Sequence, residues 1–540
     1  MFKFQKVTAL CLIVFAFGCL ALLPNAQAVS PPPDGGYPGG NTAEGQSALL
    51  SLTTGIYNTG IGIYSLLSLT QGSFNTGVGA GALLVNTGDN NTATGAGALF
   101  SNTTGTGNTA NGVFALFSNS TGGANTGVGL SALQSNTTGT GNTANGATAL
   151  FNNTTGGGNT AVGVTALLNN TTNSNNTGVG TSALAGNNAD GNTGVGAAAL
   201  FTPNTGPGNT AVGAQALFSN TGDNQDPPNG RFNTAVGLDA LYSNTTGNAN
   251  TAVGAGLQGP IGDANGLAPL ASNTTGSGNT AVGGSFGVNP APLGSNTTGR
   301  GNTAVGASAG LGDNGALGFN TTGNFNTAIG RNALAVNTTG SNNIAVGRDA
   351  GSNLTTGDNN IDIGNPGVAD EANTIRIGES GTQTATYIAG ISGTAVVGDP
   401  VVVDANGQLG TATSSARFKK DIKPMDKTSE AVLSLKPVSF QYKSDSKGIP
   451  QFGLIAEEVA KVNPDSVVRD RNGEIYSVRY EAVNAMLLNE FLKEHRTVQE
   501  QQKEIDALNA ELKEQRALIQ KVNDKVEFDK PAAQTVLSNR

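Results

Sequence analysis

The chain has 540 residues, a formal net charge of −9 and only 12% charged residues, with 79 glycines and no tryptophan. Residues 29–360 contain no lysine, which argues against a basic surface there, so we expect no nucleic acid partner. His495 is the single histidine and Cys11 and Cys19 are the only cysteines, so we expect no Ser-His-Asp triad, no metal site and no cofactor.

Residues 1–28 have the features of an export signal. Two lysines precede an apolar run over 7–23, and Ala26-Gln27-Ala28 forms a small-x-small cleavage site. The sequence therefore predicts a mature protein that begins at Val29 and is secreted or held at the cell surface. Two alternatives stay open, namely a retained membrane anchor and lipidation at Cys19.

A short linker, 29–40, leads into repeats that occupy residues 41–364. The block N-T-[AG]-x-G begins at Asn41 and recurs mostly every 17 residues, within a consensus unit NTAVG-xxALxxNTTGxG. Each unit has two small apolar clusters, such as Ala161-Val162 and Ala166-Leu168, followed by turn-forming Asn, Thr and Gly. One unit cannot bury these side chains alone, whereas stacked units can. We predict a mostly β fold built on a parallel β-solenoid, or β-roll, with one coil per unit and these clusters in its core.

Four insertions interrupt the period, at 221–232, 256–278, 284–301 and 307–325. They are rich in Pro, Asp and Gly and are predicted to be loops that leave the solenoid, either for ligand contact or as neutral surface decoration. The Asp-rich nonapeptide of calcium-binding β-rolls is absent, so no calcium stack is expected.

The repeats resemble the heads of trimeric autotransporter adhesins, which are parallel β-rolls with short N-S-x-A-I-G-type repeats. The resemblance covers about residues 41–364 and implies a trimeric, adhesive head. Beyond the repeats, residues 365–413 alternate β-branched residues with turns such as Ala405-Asn406-Gly407, which predicts a β-rich neck.

The only constellation suited to covalent chemistry follows the neck. Ser414 stands five residues before Lys419, and with histidine and cysteine excluded a lysine-activated hydroxyl is what remains. A free lysine has a pKa of roughly 10.4 and is a poor base at neutral pH, but burial away from water can lower that value. We therefore predict Ser414 and Lys419 as the catalytic residues, with Lys419 in a desolvated position.

Three blocks in this region resemble the endosialidase-type intramolecular chaperone, the auto-cleaving serine peptidase domain at the C-terminus of phage tailspikes and tail fibres. The blocks are SSARFKKDIKP from Ser414, LKPVSFQY (435–442) and GLIAEEVAKVNPDSV (453–467). The residues that match the family's S-D-x-R-L-K-x-x-I motif are Ser414, Arg417, Lys419 and Ile422, whereas Ser415 and Phe418 depart from it. The resemblance implies a self-cleaving peptidase that acts in cis between Thr413 and Ser414, in a homotrimer.

The C-terminal part is predicted as a small α/β domain over 414–479, a long helix over 480–528 and a tail over 529–540. In the helix, apolar residues recur every seven positions, at Phe491, Val498, Ile505, Leu512, Ile519 and Val526. This spacing predicts a coiled coil of about five heptads. Three chains fit both resemblances, although the heptads alone leave two or four chains open, and a monomeric amphipathic helix is the alternative.

Together these patterns predict an exported homotrimeric fibre that attaches to a glycan or protein receptor on a cell surface, with a C-terminal chaperone that cleaves itself off. One alternative is a structural surface or matrix fibre without adhesive function. Another is a tailspike-like enzyme acting on an external glycan, but such enzymes use paired carboxylates. Residues 29–360 contain only eleven Asp and Glu, and no pair of them recurs with the repeat.

Overall fold

A computed structural model describes residues 37–528, except 224–228, 257–267, 287–288, 310–311, 390, 392–396, 399, 405 and 471. The predicted export signal, most of the linker, part of the insertion 256–278 and the tail 529–540 lie outside the described residues. The chain divides into two compact units, Met1–Thr386 and Tyr387–Arg540, which we call the solenoid unit and the C-terminal unit.

The solenoid unit is a stack of short coils joined by one parallel sheet of 19 strands, which confirms the predicted parallel β-solenoid. Each strand pairs with the next one in identical register, so that Thr160 lies opposite Thr177 and Val162 opposite Val179. The strands are Thr42–Glu44, Thr59–Ile61, Thr76–Val78, Thr92–Thr94, Thr109–Asn111, Thr126–Val128, Thr143–Asn145, Thr160–Val162, Thr177–Val179, Thr193–Val195, Thr210–Val212, Thr234–Val236, Thr251–Val253, Thr280–Val282, Thr303–Val305, Thr327–Ile329, Ile344–Val346, Ile361–Ile363 and Ile375–Ile377. The last of these strands extends the sheet beyond the predicted end of the repeats at 364.

The core of the solenoid is made by the middle residue of each strand and by the Ala-Leu pair that follows it. In one representative coil Ala161, Ala166 and Leu167 are all fully buried. The prediction that Val162 is a core residue is wrong, because a three-residue strand points its middle side chain inward and its two flanking side chains outward. Val162 is accordingly 36% exposed.

The insertions are also shorter than the sequence indicated. Leu270, Leu293 and Leu317 fall within the predicted loops 256–278, 284–301 and 307–325, yet each is fully buried as the leucine of its coil. In addition, Ser285–Phe286 and Ser308–Ala309 pair as a second, two-stranded parallel sheet. In two of these coils proline replaces the alanine of the Ala-Leu pair, as in Pro269-Leu270 and Pro292-Leu293, and this concealed the coil pattern in the sequence.

Two columns of buried asparagines run along the solenoid. In the first column, Asn125 donates from its backbone N–H (2.9 Å) and from Nδ2 (3.2 Å) to Oδ1 of Asn108, and from Nδ2 to the carbonyl of Gly139 (2.8 Å). In the second column, Nδ2 of Asn119 donates to Oδ1 of Asn102 (2.7 Å) and to the carbonyl of Gly122 (2.9 Å). These bonds satisfy amide groups that would otherwise be costly to bury.

The turn after each strand requires unusual backbone conformations. Gly163 has φ of 133°, and a Cβ at this position would lie 2.5 Å from the carbonyl oxygen of Gly180 in the next coil. Leu167, although not glycine, adopts φ of 51°. A left-handed leucine costs roughly 1–2 kcal/mol. Its complete burial, which contributes about 1.5–3 kcal/mol, offsets that cost.

The C-terminal end of the sheet contains a buried carboxyl group. Asp362 occupies the column held by alanine or glycine in earlier coils, between Ala345 and Arg376 as its register partners. It is 1% exposed, and neither of its carboxyl oxygens has a hydrogen-bond partner among the described residues. Gly351 follows Ala350 where earlier coils have leucine, and a Cβ at Gly351 would lie 3.3 Å from Oδ2 of Asp362. The carboxyl group therefore fills space that a leucine side chain would take.

This environment changes the proton affinity of Asp362. Burial raises the pKa of Asp362 to about 6, with a further rise from the nearby Glu371 and an opposing effect of Arg376. Arg376 is held by Glu371 through bonds of 2.8 Å from Nε to Oε1 and from Nη2 to Oε2. These bonds lower the pKa of Glu371, so the guanidinium is already engaged by another carboxylate.

The described residues of the C-terminal unit form three pairs of antiparallel strands, two α-helices and a small core. The paired antiparallel strands are Val401–Val403 with Leu409–Thr411, Val438–Phe440 with Gln451–Gly453, and Val467–Arg469 with Ile475–Val478. The 3-10 helices are Ala416–Phe418, Asp426–Ser434 and Pro464–Ser466, and the α-helices are α1, Ala456–Val462, and α2, Tyr480–Phe528. The buried core consists of Val432, Val459, Val467, Val478, Val483 and Met486.

Helix α2 has 49 residues. Its first turns pack on the core through Val483 and Met486. The residues of the predicted heptad seam are exposed in the single chain, with Val498 50%, Ile505 50% and Ile519 59% exposed.

Introducing aspartate at Ala161 should destabilise the solenoid, because Ala161 is fully buried and an aspartate there would be an unpaired charge. We expect the free energy of unfolding to fall by about 3 kcal/mol or more. Thermal unfolding followed by circular dichroism measures the effect. Thr155→Asp, at an exposed turn position six residues earlier, is the matched control and should unfold like the wild type. Equal losses in both variants would contradict the assigned inward and outward positions.

Asp362 should make the stability of the solenoid depend on pH. Because its pKa is raised in the folded state, its favourable contribution is full below about pH 4 and is lost as the pH rises through about 6. Asn at this position cannot ionise. In Asp362→Asn the midpoint temperature of thermal unfolding should therefore change less across this pH range than in the wild type, and at pH 7 it should be higher than that of the wild type. Asp358→Asn, at an exposed carboxylate, should keep the wild-type profile. An Asp362→Asn profile parallel to that of the wild type would refute the assignment.

Candidate active site

Ser414 and Lys419 lie at the two ends of one tight turn. The chain leaves strand Leu409–Thr411, passes Ser414, and enters the 3-10 helix Ala416–Phe418. Ser415 precedes this helix in extended conformation, with φ of −61° and ψ of 141°, and Lys419 ends it in the same region. The backbone N–H groups of Phe418 and Lys419 donate to the carbonyls of Ser415 and Ala416, both at 3.0 Å. This turn folds the lysine back toward the serine.

The turn brings the two predicted catalytic groups together. Nζ of Lys419 lies 3.2 Å from Oγ of Ser414, within hydrogen-bonding distance. A hydroxyl and an amine at this separation can exchange a proton if the amine is neutral. The adjacent pair, Ser415 and Lys420, is not joined by a side-chain hydrogen bond within the described part of the chain. The geometry therefore distinguishes two pairs that are chemically identical and equally spaced in the sequence.

Both groups face solvent in the single chain. Ser414 and Lys419 are exposed, as are the residues on either side of them. Arg417 lies over the ring of Phe418, with 4.6 Å between the guanidinium carbon and the ring centroid, and this places two further exposed groups beside the lysine. The desolvated position predicted for Lys419 is therefore not present in the single chain.

A polar cluster that the sequence did not reveal fixes helix α2 to the 3-10 helix Asp426–Ser434. Ser429 is fully buried, and its Oγ lies 2.5 Å from Oε1 of Glu490 and 2.6 Å from Nδ2 of Asn489. Lys493 donates to Glu490 at 2.7 Å and to the carbonyl of Asp426 at 2.8 Å. The hydrogen bond with Lys493 lowers the pKa of Glu490 and raises that of Lys493, so both are charged at neutral pH. Nothing in the spacing of Ser429 marked it, because its partners are about 60 residues away.

The rest of the described chain offers no competing chemical centre. No group of three or more His, Cys, Asp or Glu side chains within the described residues is arranged to hold a metal ion. Within the same residues, no helix combines the length and the hydrophobicity needed to cross a bilayer. The turn at Ser414 is therefore the candidate site with the clearest chemical geometry.

The two further sequence blocks contribute the framework of the domain. Residues 435–442 contain strand Val438–Phe440, which pairs with Gln451–Gly453. Residues 453–467 contain α1, whose Val459 is buried in the core, and the 3-10 helix Pro464–Ser466. This 3-10 helix is capped at its start by Asn463, whose side-chain oxygen accepts a hydrogen bond from the N–H of Asp465 (3.0 Å). These blocks hold the domain together and do not contact Ser414 through hydrogen bonds in the described structure.

Comparison with known proteins identifies this region. No curated protein and no solved structure matches the chain. A family of known domains matches residues 414–468, and that family, Peptidase_S74, is described as chaperone of endosialidase. The match begins at Ser414 and ends beside the core residue Val467, which is consistent with the predicted C-terminal intramolecular chaperone. Residues 414–468 of this chain are therefore similar to the chaperone-of-endosialidase family.

Proposed function

We propose that this protein is an exported, homotrimeric fibre whose solenoid attaches to a cell surface and whose C-terminal unit assembles the trimer and then cleaves itself off. A chaperone-of-endosialidase domain together with a parallel β-solenoid fits a tail fibre or tailspike-like protein. The 3.2 Å contact between Lys419 and Ser414, at the first residue of the family match, carries the proposal.

The need for an assembly domain follows from the solenoid itself. Neighbouring coils pair like with like along almost the whole sheet, with Thr opposite Thr and with Ala or Gly opposite Ala or Gly. A chain displaced by one coil would meet nearly the same partners, so the repeats discriminate poorly between the correct register and a shifted one. A separate domain that brings the chains together at one end removes this ambiguity.

Helix α2 supplies the means of bringing chains together. Its seam residues, among them Val498, Ile505 and Ile519, are half exposed in the single chain and recur every seven residues. Such a seam is buried when two or more helices supercoil. A bundle of three helices agrees with the two family resemblances, that of the repeats and that of the C-terminal domain. The Ser429 cluster would connect this helical bundle to the peptidase domain.

The proposed cleavage is an intramolecular acyl transfer followed by hydrolysis. Lys419 in its neutral form accepts the proton of Ser414 Oγ as this oxygen attacks the carbonyl carbon of Thr413. The bond between that carbon and the nitrogen of Ser414 breaks, the nitrogen receives the proton from Lys419, and an ester joins Thr413 to the serine oxygen. Water then hydrolyses the ester, leaving a carboxylate on Thr413 and a free hydroxyl on Ser414. Holding both reactants in one turn provides the proximity.

Burial of the exposed site on trimer formation would favour the neutral amine and so start the reaction. The lysine sits beside Arg417 and Phe418, which also face solvent in the single chain. Packing of other chains against these residues would remove water from the lysine. Cleavage would then follow assembly rather than precede it.

Ser414→Ala should abolish cleavage, and Lys419→Ala should slow it by about 10²–10⁴-fold, the usual contribution of a general base. Mass spectrometry of the secreted product is the measurement. The wild type should yield a body that runs from Val29 to Thr413, and the variants should yield uncut, still trimeric chains. Ser415→Ala and Lys420→Ala are controls of identical chemistry and should be cut at the wild-type rate.

Two outcomes would change the assignment. If Ser415→Ala blocked cleavage while Ser414→Ala did not, the nucleophile would be misplaced by one residue. If all four variants were cut like the wild type, an external protease would replace the proposed self-cleavage.

The proposed attachment role can be tested on the cleaved body. We expect the purified body, residues 29–413, to bind whole cells or a defined class of glycan or protein on an array, with binding retained in the absence of the C-terminal unit. No binding to any surface would favour a structural matrix fibre. Release of shortened sugars from a bound glycan would instead favour a tailspike-like enzyme.

A further inference from the structure

The outer face of the solenoid sheet carries a column of mostly aliphatic side chains. The third residue of most strands is valine or isoleucine, and this residue points away from the core. Val162 (36% exposed), Val212 (38%) and Val305 (37%) are exposed, whereas the other valines of the column from Val78 to Val282 are half-buried. A second column, two residues further along each coil, includes Leu130 and Val164, which are 55% and 50% exposed. A column of such side chains is unusual on the surface of an isolated, soluble domain.

The same face is free of charge over most of its length. From strand Thr59–Ile61 to strand Thr303–Val305, the first and third residues of each strand include no Asp, Glu, Lys or Arg. The same holds for the residue after the glycine that follows each strand. Where valine or isoleucine is absent, the third position is threonine or asparagine. Charges at these positions appear only near the two ends, at Glu44 in the first strand and at Arg331, Arg348 and Glu379 in late coils. An exposed edge or face that is meant to stay in water usually carries charge.

The size of this face matches that of a protein–protein interface. With about 4.8 Å between strands and about 3.3 Å per residue along a strand, the uncharged stretch measures roughly 60 Å by 13 Å, or about 800 Å². Stable interfaces bury about 800 Å² on each partner, so the face is large enough to form one.

The repeat period indicates which partner fits. Outward side chains recur once per coil, at the spacing of neighbouring strands, and they do so in identical register from coil to coil. Another solenoid with the same spacing, lying parallel, can place a valine against every coil. A surface of different period would meet the valines in register at only a few points.

We propose that the face defined by the first and third residues of the strands from Thr59–Ile61 to Thr303–Val305 is the surface on which copies of this chain pack against one another, parallel and in register. The inference rests on the homotrimer of the proposed function and assigns it a second contact surface besides α2. Because the face has no charges, it holds the chains together without selecting their register, and that selection is left to the C-terminal unit.

Thiol labelling can test this without relying on cleavage. The only natural cysteines are Cys11 and Cys19, so their replacement by alanine leaves no thiol in the chain. Val162→Cys then places one thiol on the proposed interface, and Thr155→Cys places one at an exposed turn of the same coil. In the native assembly, maleimide should label Val162→Cys at least about 10-fold more slowly than Thr155→Cys, and both should react equally in denaturant. Equal native rates would overturn the proposal.

Charge on the face gives an independent readout. Val162→Lys combined with Val212→Lys should leave the C-terminal units associated but make the cleaved body sediment as a monomer. Thr104→Lys combined with Thr155→Lys, at exposed turn positions, should leave the body trimeric. A trimeric body in the first variant, or native mass spectra showing a different protein on the wild-type face, would overturn the inference. If no cleavage occurred at all, the proposed peptidase would fail, but the labelling result would still stand.

Discussion

The first column of buried asparagines provides the hydrogen bonds on which the solenoid depends. Each side-chain amide caps the backbone of the next coil, as Asn108 does for Asn125, and donates to a glycine carbonyl one turn further along. With so few apolar atoms in each coil, burial of Ala and Leu alone would leave many backbone groups unpaired. The column satisfies them and fixes the spacing between coils. Since the bond requires the same residue in the same place every time, it also explains why the repeat is so uniform.

That uniformity creates the problem that the C-terminal unit is suited to solve. A body whose coils are interchangeable has no unique register, either within a chain or between chains, and charge is missing where it could discriminate. Lysine is absent between Lys6 and Lys419 and then frequent, and the only long helix among the described residues lies in this second part. Under the proposed function, the chain would divide its tasks between a repetitive body that provides length and a non-repetitive end that provides register.

Periodicity was sufficient to predict the solenoid, its coil length and most of its core, because the regular spacing of Asn, Gly and Ala-Leu identifies the positions that are equivalent from coil to coil. It was not sufficient to orient Val162, since a strand of three residues is too short to show alternation. The burial of Asp362 was not predicted, because it depends on Gly351. Glycine at that position leaves free the space that a leucine side chain would fill, and the carboxyl group of Asp362 occupies it. The approach of Lys419 to Ser414 follows from a five-residue spacing closed by a turn. Ser429 and Glu490 are joined only by tertiary structure, which no local pattern encodes.

Under the proposed function, the exposure of the Ser414 turn would delay cleavage until the chains have assembled. A lysine that acts as a base needs a neutral amine, which burial away from water favours. A single chain that buried the lysine by itself would then release its chaperone before finding its partners. If the final desolvation came instead from a contact between chains, assembly would be a condition for cleavage. Once the C-terminal unit has left, the uncharged face and the asparagine columns of the body would have to maintain the fibre without it.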